Sequence, residues 1–219
     1  MLVQSIVEFD KELLLFLNSF HNLFFDTFMW IISTKEIWVP LYLVIIYYFF
    51  KDRDARKAFI ILGICVLCIV LCDQISSSIF KPLFERWRPS RDPDISEMVH
   101  IVNGKRGGKY GFISSHAANV FGLAVFSLML FKNRVYSIII LTWAILVSYS
   151  RIYLGVHFPG DILCGGLLGS GLGFGCYKLL NRFINTKKSR VSRLPLFILV
   201  ILVTFFCIIS VSRYMHFAN

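Results

Sequence analysis

The chain has 219 residues, of which 57% are hydrophobic and 16% charged, with a formal net charge of +10. Roughly a quarter of the residues of a soluble domain are charged, so this composition excludes that class and reads as an integral membrane protein. A helix needs about 20 apolar residues to cross the hydrocarbon core. Runs of that order fill the sequence as one all-α, polytopic membrane helical bundle, a single membrane domain over residues 1–219.

Residues 4–18 come first. Ile6, Phe9, Leu13, Leu14 and Leu17 recur at helical spacing while Gln4, Glu8, Lys11 and Glu12 fall mostly elsewhere, which predicts an amphipathic helix lying in the membrane interface. Glu8 and Asp10 precede the first lysine, Lys11, where a secretory signal is basic, so the segment is expected to be mature sequence. Apolar runs follow over residues 20–34, 38–50, 58–80, 114–131, 135–153 and 159–180, expected as the six crossings of a core spanning residues 20–181. A run from 194 to 211 predicts an additional C-terminal span, 194–212. Between the third and fourth runs, residues 81–111 are polar and broken by Pro82, Pro89, Pro93, Gly104, Gly107 and Gly108, which predicts a surface loop with few apolar anchors.

Charge orients the bundle. Segments 51–57, 132–134 and 182–193 hold four, two and five Lys or Arg, and alternating spans put all three on one side, the cytoplasmic side by the positive-inside tendency. The 81–111 loop and the turn "LGVHFPGD" then face outward, towards a periplasm or exterior. That loop is itself basic, with seven Lys or Arg against four acids, which points to an anionic partner. Phosphate on membrane lipids fits an outward loop, and nucleic acid does not. Arg86, Arg91, Lys105, Arg106 and Lys109 are read as solvated or headgroup-facing.

The remaining polar residues collect on the same face. Lys81 and Arg88 lie in "KPLFERWRP", Ser114, Ser115 and His116 in "GFISSHAAN", and Arg151, His157 and Asp161 in "SRIYLGVHFPGD". Fixed cations, a nucleophile and an acid are what phosphoryl transfer without a metal or cofactor requires. Pro159 suits the first turn of a helix, which places Asp161 in that turn and His157 just ahead of it.

These stretches carry a family resemblance. Lys81, six residues, Arg88-Pro89 comes first, and Ser150-Arg151, five residues, His157, three residues, Asp161 comes last. The two bracket Ser114-Ser115-His116, and the pattern over residues 8–181 resembles the type-2 phosphatidic acid phosphatase superfamily. The middle motif departs from the family's usual Pro-Ser-Gly-His, since Ile113 and Ser115 replace the Pro and the Gly. With ordinary helical dihedrals the Ser115 β-carbon is harmless and its hydroxyl adds a donor; otherwise it crowds a phosphate.

The resemblance implies a six-helix membrane phosphatase working through phosphohistidine, without metal or other cofactor. His157 would be the nucleophile, Asp161 its orienting partner and His116 the general acid and base. Lys81, Arg88, Ser114, Ser115 and Arg151 would bind the phosphate. The implied reaction is hydrolysis of an envelope lipid's phosphate ester or diphosphate on the outward face of a bacterial-type inner membrane. Lipid A is favoured because Lys105, Arg106 and Lys109 can meet a second phosphate. Undecaprenyl diphosphate and phosphatidylglycerophosphate stand as alternative substrates, and phosphotransfer between lipids or non-catalytic binding or transport of anionic lipid as alternative activities. Oligomeric state is left open.

Three further features are read as packing. Asp73 is expected to position a basic partner inside the bundle. Cys65, Cys68 and Cys72 form an apolar helix stripe rather than a metal or disulfide set. Gly165, Gly169 and Gly173, at intervals of four, predict a tight helix contact within the chain.

Overall fold

The structure, a computed structural model, describes residues 2–185 and 194–218; the basic residues Lys187 to Arg193 lie outside them. The described residues form nine α-helices: α1 (Leu2–Asn18), α2 (Leu23–Ser33), α3 (Val39–Phe50), α4 (Ala55–Gln74), α5 (Lys81–Phe84), α6 (Ser115–Phe131), α7 (Arg134–Tyr153), α8 (Pro159–Phe183) and α9 (Pro195–Ala218). A π-helical turn, Ile75–Phe80, joins α4 to α5. Helix starts follow local chemistry: Asn22 and Asn133 accept the Phe25 and Tyr136 amides at 2.9 and 3.0 Å, and Pro159 opens α8 where no amide is needed.

The expected core helices are α2, α3, α4, α6, α7 and α8, but two of them share a crossing. α2 and α3 have 11 and 12 residues, each too short to span alone, and they meet at a 67° bend. The Asn22 amide, just ahead of α2, reaches the hydroxyl of Tyr153, the last residue of α7. At the far end of α3, Phe49 packs on Phe126 and Phe131, and Phe131 ends α6. The pair therefore starts at one end of the bundle and finishes at the other, one bent passage where the sequence predicts two. The sides assigned to later loops are unaffected.

Helices α6 and α8 approach through the glycine stripe. A β-carbon on Gly165, Gly169 or Gly173 would lie 2.5, 2.1 or 2.6 Å from the carbonyl oxygens of Ser114, Ala118 and Gly122. Gly171 and Gly175 face open space. Large rings fill the bundle on the other side of α6, with Trp38 edge-on to Trp143 at 5.6 Å. The six cysteines are free thiols, and Cys65, Cys68, Cys72 and Cys176 are buried among apolar side chains.

The 81–114 connection is better anchored than its sequence predicts. Ile95 and Val99 are buried with Leu14, Ile152 and Phe158, and Val102 packs with Met29, Tyr153 and Val156. Lys11 of α1 donates to Asp94 at 2.6 Å. The apolar residues of α1 divide: Leu14 is buried, whereas Ile6, Phe9 and Phe16 are exposed on the side away from the protein, where an interfacial helix meets lipid. Asp73 is half-buried, and its carbonyl accepts from the Ser76 and Ser77 hydroxyls.

We expect Gly169→Ala to lower the thermal midpoint of the detergent-solubilised protein, with a cost of about 1–3 kcal/mol from overpacking. Gly171→Ala, in open space, should leave it unchanged or slightly raised. Equal midpoints for the two variants would mean that the α6–α8 approach is not set by the stripe.

Candidate active site

The start of α8 organises the site. The Phe158 amide, at its N-cap, donates to Asp161 Oδ2 at 3.0 Å, so the carboxylate is held by its own helix. The same oxygen faces His157 Nδ1 at 3.3 Å, and Oδ1 accepts from Arg86 Nη1 at 3.0 Å. Asp161 is 0% exposed and His157 1% exposed, a depth at which a carboxylate needs partners on both oxygens. The Asp161 carbonyl accepts the Ser114 amide at 3.0 Å, tying the start of α6 to that of α8.

His157 is held from its other side by Arg88, whose Nη1 lies 3.0 Å from Nε2 and also donates to the Val156 carbonyl at 3.0 Å. A guanidinium only donates, so Nε2 presents its lone pair and the ring proton sits on Nδ1, towards Asp161. Burial first, then the charges of Arg88, Arg151 and Lys81, hold the His157 imidazole well below its usual range, and the Gly111 carbonyl opposes them. The ring is therefore neutral at physiological pH. Burial also lowers Arg88, from a value so high that it stays charged.

The other expected residues gather at the same end. Lys81 Nζ donates to Ser115 Oγ at 2.9 Å, so the hydroxyl that replaces a family glycine partners a predicted phosphate ligand. Ser114 Oγ accepts the Ala117 amide at 3.4 Å as the α6 cap, ahead of the positive end of that helix. Arg151 is buried, donates from Nη1 to the Ser33 hydroxyl and has no partner for Nε. His116 lies within electrostatic reach of Arg151, His157 and Arg88. It also lines an apolar cavity of about 380 Å³ between α3, α4, α6 and α7, walled by Tyr42, Leu62, Leu123 and Val147. Among the described residues, no three His, Cys, Asp or Glu side chains converge as a metal-binding set.

Two participants differ from the sequence reading. Arg86, read as headgroup-facing, binds Asp161 and lies over the Phe158 ring at 4.1 Å. Ser33, at the end of α2, was not singled out because only folding brings it to Arg151. Gly111 also belongs to the site: a β-carbon there would sit 3.0 Å from Asp161 Oδ2 and 3.3 Å from Arg88 Cγ. The other loop cations, expected to be solvated or headgroup-facing, make contacts within the protein. Lys105 and Lys109 lie over the rings of Trp30 and Trp87, while Arg91 and Arg106 bind the carbonyls of Gly107 and Ser90.

Comparisons with known proteins identify the family. The family model of the PAP2 superfamily matches residues 58–185. The chain is 43% identical over 175 residues to the lipid A 4'-phosphatase of Bacteroides thetaiotaomicron, covering 80% of this chain and 76% of that one. It is 41% identical over 177 residues to the lipid A 4'-phosphatase of Porphyromonas gingivalis, covering 81% and 75%. Its fold is similar to that of a transmembrane PAP2-type phosphatidylglycerolphosphate phosphatase from Bacillus subtilis, with a TM-score of 0.61 at 23% identity over 83% of this chain and 89% of that one. With a family match over more than half its length, this chain belongs to the PAP2 superfamily and is a multi-pass membrane phosphatase.

Proposed function

We propose that the enzyme hydrolyses a phosphate monoester on the headgroup of an envelope lipid, the 4'-phosphate of lipid A, through a phosphohistidine on the outward face of the inner membrane. The observation that carries this reading is the place of His116, between the cations around His157 and an apolar cavity able to take part of a lipid. Lipid A is chosen because the two relatives at 43% and 41% identity are both lipid A 4'-phosphatases. Outward orientation rests on the basic segments at the opposite end of the bundle.

In the proposed reaction the substrate phosphate draws Arg88 off Nε2 and takes Lys81, Arg88, Ser115 and Arg151 as donors to its non-bridging oxygens. The Nε2 lone pair attacks phosphorus. The P–O bond to the lipid breaks as protonated His116 gives its proton to the leaving oxygen. Phosphohistidine carries a positive ring, which Asp161 stabilises through the Nδ1 proton. Neutral His116 then takes a proton from water, the water oxygen bonds phosphorus, and the N–P bond breaks to release phosphate and restore both histidines.

His157→Ala should lower phosphate release from diphosphorylated lipid A by about 10⁴-fold, and wild-type enzyme quenched in alkaline detergent should carry base-stable, acid-labile phosphate that the variant lacks. Equal turnover of the two proteins would remove the covalent mechanism. A panel including undecaprenyl diphosphate and phosphatidylglycerophosphate tests the substrate, and faster turnover of either would displace lipid A.

His116→Ala should slow cleavage of lipid alkoxide leaving groups by about 10² to 10⁴-fold and cleavage of an activated aryl phosphate much less, because only the first needs its leaving oxygen protonated. Equal losses would deny His116 the acid role. In the free enzyme, ¹⁵N-detected NMR of His157 should show a neutral ring protonated at Nδ1 down to pH 5.5, where an ordinary imidazole is mostly charged. A transition centred near the ordinary value would mean that burial and cations do not control this group.

A further inference from the structure

Asp10 of α1 lies outside every family motif, yet it is buried against the start of α8. Its Oδ2 accepts from Arg86 Nη2 at 2.7 Å, and its Oδ1 accepts the Gly160 amide at 2.8 Å. Arg86 uses its other terminal nitrogen on Asp161, so one guanidinium joins two carboxylates from helices far apart in sequence. The Gly160 amide belongs to the residue immediately before Asp161. Asp10 therefore holds two of the groups that fix Asp161, the guanidinium on its Oδ1 and the backbone that carries it, while the Phe158 amide holds Oδ2. A β-carbon on Gly160 would lie 2.7 Å from Asp10 Oδ2, so "PGD" has glycine where the carboxylate comes closest.

We infer that Asp10 is a positioning residue for the phosphatase reaction: through Arg86 and the Gly160 amide it sets the place and charge of Asp161, and through Asp161 it sets the His157 nucleophile. The inference rests on the proposed roles of His157 and Asp161. Two consequences of removing the Asp10 charge act together. Arg86 loses one of its two anchors and can rotate about its remaining contact with Asp161. Its positive charge, now shared with one carboxylate instead of two, also offsets more of the negative charge that Asp161 offers the phosphohistidine ring. Both effects fall on the bond-making step, and neither involves a group that touches the substrate. α1 thus becomes part of the catalytic apparatus while its opposite side carries exposed Ile6, Phe9 and Phe16.

The test uses the full-length enzyme in detergent with diphosphorylated lipid A and with para-nitrophenyl phosphate. Asp10→Asn should lower kcat by about tenfold or more, the scale seen when an outer partner of a site residue is removed, and leave KM within about a factor of two. In an Arg86→Gln background the same substitution should add little, because both act through one contact. Gly160→Ala, which intrudes on the carboxylate from the other side, should lower kcat in the same way and serves if Asp10→Asn does not fold. Lys11→Gln, which removes the neighbouring tie to Asp94, should leave kcat unchanged and thereby separates docking of α1 from the role of Asp10. An unaltered kcat in both Asp10→Asn and Gly160→Ala, a loss that multiplies fully with that of Arg86→Gln, or a change confined to KM would overturn the inference. His157→Ala run alongside keeps the two readings apart. If it retains activity the proposed mechanism fails, and if it is inactive while Asp10→Asn and Gly160→Ala are both normal only the positioning role fails.

Discussion

The site depends on the close approach of α6 and α8. Three glycines of α8 lie against backbone carbonyls of α6, leaving no room for a β-carbon. That contact sets the distance between two helix starts, one carrying Ser115 and His116 and the other carrying Asp161, with His157 just ahead of it. The Ser114 amide, bonded to the Asp161 carbonyl, continues the contact into the site. In lipid, apolar burial does little to drive helices together, so such fixed geometry comes from surfaces that permit close packing and from hydrogen bonds at the ends.

On that frame most of the buried polar groups have partners. His157 is neutral and buried, Asp161 has donors on both oxygens, and Arg88 is occupied by two backbone carbonyls and the imidazole. A buried cation cluster without an anion is expensive, and Arg151, with an unpartnered buried Nε, shows where the cost falls.

Much of this was legible in the sequence because the motif spacings correspond to short, rigid pieces of structure. His157 and Asp161 are four residues apart across a helix start that Pro159 fixes, and the glycine interval marks one face of α8. The bent passage of α2 and α3 was not legible, since two apolar runs separated by Lys35 and Glu36 look like two spans until the ends are located in space. Arg86 was misjudged for a related reason: a cation among many in a polar loop has no periodicity, and its partners lie 75 and 76 residues away. Asp10 faces the protein from a helix whose lipid-facing residues are apolar, an inversion of the soluble pattern that reads as ordinary amphipathicity when the partner is unknown.

The single passage made by α2 and α3 also changes the parity of the molecule. Among the described residues, that pair, α4, α7, α8 and α9 are long and apolar enough to cross, and α6, shorter at 17 residues, runs between the same two ends; α9 packs its Phe205 against Trp38 at the start of α3, bracing the bend. That even number of passages brings the last helix back to the end of the bundle where α1 lies. The opposite end holds the connections at 51–54 and 132–133, each bearing Lys or Arg. Among the described residues, the site and the loop that supports it therefore lie at one end and these short connections at the other.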